Sequence, residues 1–344
     1  MNMYTVTFFN VVHLSEGRGG EVWTREVISY LNSTAKFKAR LITTDCCFQN
    51  PIKTDFEYKI IKYKKFLGLS LYAESQLLPY LEESDLVYNF NAFLGSQFPL
   101  IKDKNLHNKL IFGYHAYIDT FIQKLFYSFI YTRIKNIGYH HVLTHYYYEI
   151  LKRKGLKRIF IVPNFVDTEK FKRSKDKDIY FIAPGAVIKE KGLDLILELA
   201  KQTNEDIIVT GRKPNIKDYP PNLKFTGYLD RENYIELISR SKICLMPTRK
   251  EQFPITFLEC LASGNLILAR NLPVLREVSG AINSVVFFSN NDDFIQKFKM
   301  IKSMLGSFEM YSEESIRRAK EFDKNKVLNN FTNILLHIIE NNSV

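Results

Sequence analysis

Short apolar runs alternate with stretches of helical period along the whole chain, twice over. In the first half, residues 4–12, 39–43, 58–61, 86–89, 110–114, 142–144 and 159–162 predict strands, and 21–31, 121–137 and 146–154 predict helices. In the second half, strands are predicted over 179–183, 207–210, 224–226, 243–246, 266–269 and 285–288. The helices there are 193–201, 231–239, 255–262, 293–305 and 312–322, with a last one over 324–340. Strands alternating with helices predict an α/β chain whose parallel sheets are covered on both faces. The polar, charged run PNFVDTEKFKRSKDKD opens with a proline turn and has linker composition, which puts a boundary within 165–177. The expectation is two doubly wound, Rossmann-like domains facing a cleft. The first covers 1–165, the second covers 166–323, and the final helix, 324–344, packs back on the first. In such sheets ligands bind beyond the carboxyl ends of the strands.

Composition narrows the class. Of 344 residues, 46% are apolar and 25% charged, as in a globular protein, and Phe (27) and Tyr (20) supply the aromatic excess. The net charge of +11 is uneven: +8 in residues 1–172 and +3 in 173–344. A basic first half favours an anionic partner. Nucleic acid is not expected, because neither a helix-turn-helix, a finger nor an RNA-reading aromatic motif appears. Four cysteines without a C-x-x-C pair predict free thiols and no zinc site. The opening MNMYTVTFFNVVHL reads as a first strand rather than a leader, and no run reaches membrane-spanning length. The expected location is either cytoplasmic or peripheral on the cytoplasmic membrane face.

The segment PTRKEQFPITFLECLASGNLILAR, residues 247–270, carries the densest chemistry. A strand ends, a polar loop follows, and a helix begins near Pro254, where proline suits the first turn. The unpaired N–H groups of that turn, with Phe253, Pro254, Ile255 and Thr256 around it, form an anion site. Glu251 precedes the site and Glu259 lies in the helix. Eight helical residues span about 12 Å, the scale of a nucleotide sugar. A surface Glu and a helix-face Glu are the plainer reading of the same spacing.

Glu251-x7-Glu259 followed by Cys260-Leu261-Ala262-Ser263-Gly264 resembles the Glu-x7-Glu signature of the retaining GT-B glycosyltransferases of family four. Other pieces resemble that family in the same order. Gly19-Gly20-Glu21 is similar to its early glycine loop, with Arg18 as a nearby cation. Pro163-Asn164-Phe165-Val166-Asp167 with Phe171 is similar to its linker, Lys191-Gly192-Leu193-Asp194 to its Lys-Gly-x-Asp helix start, and Glu277 after Pro273 to its downstream Pro-Glu.

The resemblance implies sugar transfer from a nucleoside diphosphate sugar with retention of configuration, without metal or other cofactor. Glu251 would position the donor sugar, Glu259 would hold the ribose, and Lys191 would meet the diphosphate. Arg212 is a second candidate cation. His115, at the end of the strand 110–114, would lie near the donor sugar and either donate to one of its hydroxyls or stabilise positive charge there. Gly19 and Gly20 would let backbone approach phosphate. Asn164 is most simply a turn former.

Three departures weaken the match. Ala186 stands where the family has an arginine, Glu251-Gln252-Phe253-Pro254 lacks two glycines and one N–H, and Phe165 replaces a glycine. Lys189, Arg249 or Lys250 is expected to replace the missing charge. A uridine diphosphate sugar is favoured as donor over a guanosine one, with a glycan or lipid-linked acceptor. Basic and aromatic residues mix over 58–69 (Lys59, Lys62, Lys64, Lys65) and 121–137 (Lys124, Arg133, Lys135), as on an anionic membrane surface. A strand edge and a core-facing helix would give the same pattern. A nucleotide-sugar epimerase and a non-catalytic nucleotide-sugar-binding relative are the alternatives.

Overall fold

The computed structural model describes residues 3–11, 19–44, 54–61, 63–66, 69–72, 74–90, 97–115, 121–185, 187–216 and 218–342. Arg18, Cys46, Cys47, Lys62 and Ala186 lie outside the described residues. The chain forms two units, Met1–Pro163 with Leu328–Val344, and Asn164–Val327.

The first unit contains β1 (Tyr4–Val11), α1 (Gly19–Ser33), β2 (Phe37–Thr44), β3 (Tyr58–Ile61), β4 (Tyr63–Phe66), β5 (Leu69–Tyr72), α2 (Glu74–Glu82), β6 (Leu86–Phe90), α3 (Gln97–Lys102), β7 (Leu110–Gly113), α4 (Phe121–Ile134), β8 (Tyr139–Val142), α5 (His145–Arg153) and β9 (Ile159–Ile161). Seven strands pair in the order β3-β2-β1-β6-β7-β8-β9, every pair parallel. β6 and β7 are buried along their whole length. That burial is why they read as unbroken apolar runs rather than alternating ones.

The second unit contains β10 (Ile179–Pro184), α6 (Leu193–Gln202), β11 (Ile207–Thr210), β12 (Leu223–Phe225), α7 (Arg231–Arg240), β13 (Ser241–Met246), α8 (Ile255–Ala262), β14 (Leu266–Arg270), α9 (Pro273–Ser279), β15 (Val285–Phe288), α10 (Asn291–Ser303) and α11 (Phe308–Ala319); α12 (Lys324–Asn342) follows. Its parallel sheet runs β12-β11-β10-β13-β14-β15. The chain reverses direction across the sheet between β10 and β13, which makes their carboxyl ends the topological switch point.

Several expectations change. The run after Pro163 is not a linker but part of the second unit. Phe171 is buried there, Val166 N–H donates to the Phe322 carbonyl (3.0 Å), and Lys324 N–H donates to that of Val166 (2.9 Å). The strand placed at 142–144 lies instead over Tyr139–Val142, because Thr144 is the N-cap of α5 and accepts from Tyr147 N–H (3.3 Å). Pro254 is the N-cap residue of α8, just outside its first turn. The free-thiol expectation fails for Cys244 and Cys260, which form a disulfide between β13 and α8. The two residues are 16 apart in sequence, and the helix packed on the sheet brings both into the core.

Gly192 ends the short turn Lys189–Lys191 with φ +88°, and a Cβ there would lie 2.5 Å from Pro247 Cγ. Both the left-handed backbone and the contact demand glycine. Gly192→Ala is expected to destabilise the protein by about 2–4 kcal/mol, as strain and overpacking add. Urea denaturation measures it, and an unchanged midpoint would contradict the close approach.

Candidate functional site

The loops after β10 and β13 meet at the switch point of the second sheet. Arg249 N–H donates to the Glu190 carbonyl (2.9 Å), tying one loop to the other. This contact brings Lys191 and Glu251 together although they are 60 residues apart: the Lys191 ammonium donates to Glu251 Oε1. Thr248 Oγ1 donates to the same oxygen (2.9 Å). The Glu251 side chain keeps only 10% of its surface exposed, whereas Lys191 keeps 44%. An ammonium has three donors and Glu251 takes one. The rest of that cation is therefore presented outward beside a fixed carboxylate.

Of the candidate replacement cations, Arg249 is already matched. Its guanidinium grips Asp194 through two bonds (2.8 and 2.7 Å) and also donates to the Lys189 carbonyl. Those bonds hold the Asp194 carboxyl below its ordinary range and push the guanidinium further up. Lys189 and Lys250 are exposed on the same two loops. Arg212, after Gly211 at the end of β11, is exposed as well.

No side chain caps α8. Phe257 N–H donates to the Pro254 carbonyl (3.1 Å), which leaves the N–H groups of Ile255 and Thr256 without a partner inside the helix. Pro254 removes the N–H of the cap position alone. Asn164 Nδ2 donates to the Phe253 carbonyl (2.8 Å) and its side chain is buried. Asn164 thus latches the Glu251 loop rather than only forming a turn.

Glu259 occupies a different environment. It is 3% exposed, and its two oxygens accept from Arg231 (2.7 Å) and the Tyr234 hydroxyl (2.9 Å), both on α7. Burial, and then the Glu259 charge, push the Tyr234 hydroxyl well above its ordinary value, so it remains a donor. The Arg231 guanidinium lies 4.9 Å over the Phe171 ring. Nothing local in the sequence flags Arg231, Tyr234 or Thr248, since each acts on a carboxylate from another element or turn.

In the first unit, Gly19 and Gly20 open α1. A Cβ on Gly20 would lie 2.9 Å from Phe90 Cζ, so packing on β6 also requires a small residue there. His115 follows β7. Its ring stacks on Phe90 (4.3 Å, 11°), touches Trp23 of α1 (4.5 Å), and places Nε2 2.6 Å from the Tyr88 hydroxyl. Burial, with help from neighbouring His141, lowers the His115 pKa well below its usual value. Trp23, Tyr88 and His141 are residues that motif spacing does not reveal. His140 and His141 are adjacent on a strand and so point to opposite faces; His140 stacks on Phe112 and bonds Tyr114 instead.

Comparison with known proteins adds to this geometry. Residues 165–306 match the family model described as Glycosyl transferases group 1. The chain is 26% identical over 194 residues to the O-antigen chain mannosyltransferase RfbU of Salmonella typhimurium, covering 52% of this chain and 54% of that protein. It is 25% identical over 187 residues to the alpha-galactosylglucosyldiacylglycerol synthase of Streptococcus pneumoniae, covering 46% and 49%. The chain thus spans about half the length of these curated relatives. Among solved structures, sucrose-phosphate synthase from Thermosynechococcus elongatus superposes with TM-score 0.77 at 12% identity over 98% of this chain and 99% of that one. Anabaena HepE in complex with UDP-glucose does so with TM-score 0.74 at 11% identity over 97% and 99%. These likenesses show the fold, two doubly wound units of the GT-B class.

The Glu259 cluster yields a stability test. Arg231→Ala removes the only cation that, among the described residues, bonds the buried Glu259 carboxylate, and an expected cost of about 1–3 kcal/mol follows, moderated because Arg231 itself is 45% exposed. Tyr234→Phe is expected to cost about 1 kcal/mol. Denaturant midpoints compare the two, and an Arg231→Ala protein as stable as the parent would remove the clamp.

Proposed function

We propose that this chain, whose residues 165–306 match the family model described as Glycosyl transferases group 1, moves a sugar from a nucleoside diphosphate sugar to a glycan or lipid-linked acceptor, with retention of configuration. The observation that carries the reading is the Lys191–Glu251 pair at the carboxyl ends of β10 and β13. A half-exposed ammonium and the open N–H groups of Ile255 and Thr256 suit the growing charge of a diphosphate leaving group. The adjacent carboxylate suits sugar hydroxyls and the positive charge that develops on the ring. Lys189, Lys250 and Arg212 add positive charge around that site. With these groups neutralising the diphosphate, no metal ion is needed, and activity in excess chelator is the expected result.

In the proposed step, the bond between the anomeric carbon and the diphosphate oxygen breaks while the acceptor oxygen bonds the same face of that carbon. The departing phosphate oxygen takes the acceptor's proton. Glu259 would receive ribose hydroxyls where Arg231 swings aside, since each of its oxygens accepts one bond and keeps a further lone pair. A uridine diphosphate sugar is the proposed donor. The complex of HepE with UDP-glucose on the same fold supports this choice over guanosine.

The names of the relatives, an O-antigen chain transferase and a glycosyl diacylglycerol synthase, support a lipid-linked or surface-glycan acceptor. So does α4, where Leu125 (58%) and Phe129 (49%) are exposed one turn apart while Ile130 and Ile134 are buried. Arg133 lies 5.1 Å over the Phe129 ring, and Lys135 follows just beyond the helix. Exposed apolar groups beside cations fit an anionic bilayer surface. Among the described residues, no helix is long and apolar enough to cross a membrane.

Donor alone and donor plus extracted glycolipid separate the readings. Transfer only with acceptor supports a glycosyltransferase, altered free nucleotide sugar indicates an epimerase, and binding without turnover indicates a non-catalytic relative. Glu251→Ala and Lys191→Ala are each expected to lower kcat by about 10²–10³-fold, while Glu259→Ala chiefly raises the donor KM; steady-state kinetics with the reverse split would refute these roles. The parent protein is expected to co-sediment with anionic vesicles at low salt, and Leu125→Ser/Phe129→Ser to lose most of that binding. Equal recovery of parent and variant would remove α4 from the membrane contact.

A further inference from the structure

A hydrogen-bonded chain runs through the first unit from a backbone carbonyl to His115. His141 Nε2 lies 2.8 Å from the Val162 carbonyl oxygen, His141 Nδ1 lies 2.6 Å from the Tyr88 hydroxyl, and that hydroxyl lies 2.6 Å from His115 Nε2. The carbonyl only accepts, so His141 carries its proton on Nε2. Burial pushes the His141 pKa down to about 4, so the ring is neutral and Nδ1 holds a lone pair. Tyr88 has one hydroxyl proton and gives it to that lone pair. Its oxygen must then accept, and the proton it accepts is on His115 Nε2.

We infer that Tyr88 and His141 are positioning residues that fix His115 in its Nε2–H tautomer, so that Nδ1 is a hydrogen-bond acceptor for a ligand hydroxyl. Nδ1 makes no bond among the described residues, and His115 as a residue is half-buried. On this inference the ring accepts from a ligand hydroxyl rather than donating to one, because in the neutral ring the donor nitrogen is already committed to Tyr88. The packing protects the chain. Trp23 and Phe90 hold the His115 ring, and His141 is stacked on Phe160 (5.1 Å) and Phe331 (5.4 Å). Gly113 in β7 leaves the space the hydroxyl needs, since a Cβ there would lie 2.3 Å from Tyr88 Oη. A carboxylate in place of Tyr88 would also accept from Nε2–H, but its charge would favour the imidazolium, which has no acceptor nitrogen.

The consequence for sugar recognition rests on the function proposed above; the tautomer does not. The test therefore reads the ring first. In the full chain labelled with ¹⁵N-histidine, long-range ¹H–¹⁵N spectra at neutral pH are expected to show His115, assigned by its loss in His115→Gln, protonated on Nε2 and bare on Nδ1. His141→Phe leaves the Tyr88 proton no acceptor except His115 Nε2, so His115 is expected to switch to the Nδ1–H form. His141→Asn keeps an acceptor for Tyr88 and is expected to retain the native tautomer. Tyr88→Phe releases the constraint and is expected to give a mixture. A native ring protonated on Nδ1, or a His115 tautomer indifferent to Tyr88→Phe and His141→Phe in folded proteins, overturns the inference. If transfer activity is found, His141→Phe is expected to lower donor kcat/KM about tenfold, the scale of one lost hydrogen bond, with His141→Asn restoring most of it. Native spectra with no transfer activity would fault the function and leave the relay standing.

Discussion

Parallel strand order forces two distant loops to share one place, and the chemistry of the second unit follows from that constraint. β10 and β13 are neighbours in the sheet although α6, β11, β12 and α7 separate them in sequence. The segments leaving their carboxyl ends must therefore pass within contact of each other. Gly192 makes the approach sterically feasible under Pro247, and the Arg249–Glu190 backbone bond and the Arg249–Asp194 pair hold it. The Lys191–Glu251 pair is a product of this closeness rather than its cause. A pair whose lysine is 44% exposed contributes about 0–1 kcal/mol to stability at most. Its value lies in placing one positive and one negative group side by side where the sheet topology opens a ligand site.

The alternation of buried runs and amphipathic stretches was legible because strands buried on both faces need continuous apolar sequence. The strand bounds 58–61, 207–210 and 285–288 and the helix bounds 255–262 coincide with those of the folded chain. What stayed hidden depends on partners far away in sequence. Tyr139–His141 reads as polar, yet it is a strand because Tyr88, Phe112 and Tyr114 give its two histidines partners on either face. α2 carries Pro79, which argues against a helix interior, and α3 and α9 are too short for a periodic signal. The hairpin β4–β5 lies in a run whose lysines and aromatics suggested a surface before they suggested pairing. The disulfide required knowing that α8 packs across β13.

The paired glutamates show the same division. Their spacing and their place around a helix start were readable, and the carboxylates do lie before and inside α8. Their environments were not. Glu251 is met by a lysine from the preceding β10 loop and by Thr248 at the start of its own, whereas Glu259 is clamped from α7 by residues 28 and 25 positions earlier. One acid is poised at an edge with a half-exposed counterion; the other is enclosed by a guanidinium held over an aromatic ring. A shared motif therefore holds two carboxylates of different accessibility, and any ligand that reaches Glu259 must first compete with Arg231.

Recognition of a sugar diphosphate divides into two electrostatic tasks. The diphosphate needs donors and positive charge, which loops and a helix start provide cheaply at a surface. The sugar hydroxyls can be oriented only by acceptors that stay acceptors, and near cations that is harder to secure. Glu251 is an acceptor whose charge is fixed by Lys191 and Thr248. On the inferred tautomer, His115 is an acceptor without charge: burial keeps the imidazole neutral, and a tyrosine rather than a carboxylate takes its proton-bearing nitrogen. Because a buried Tyr88 resists ionisation as well, the whole chain from Val162 to His115 carries no net charge. Its direction is set only at the far end, by a carbonyl that can do nothing but accept.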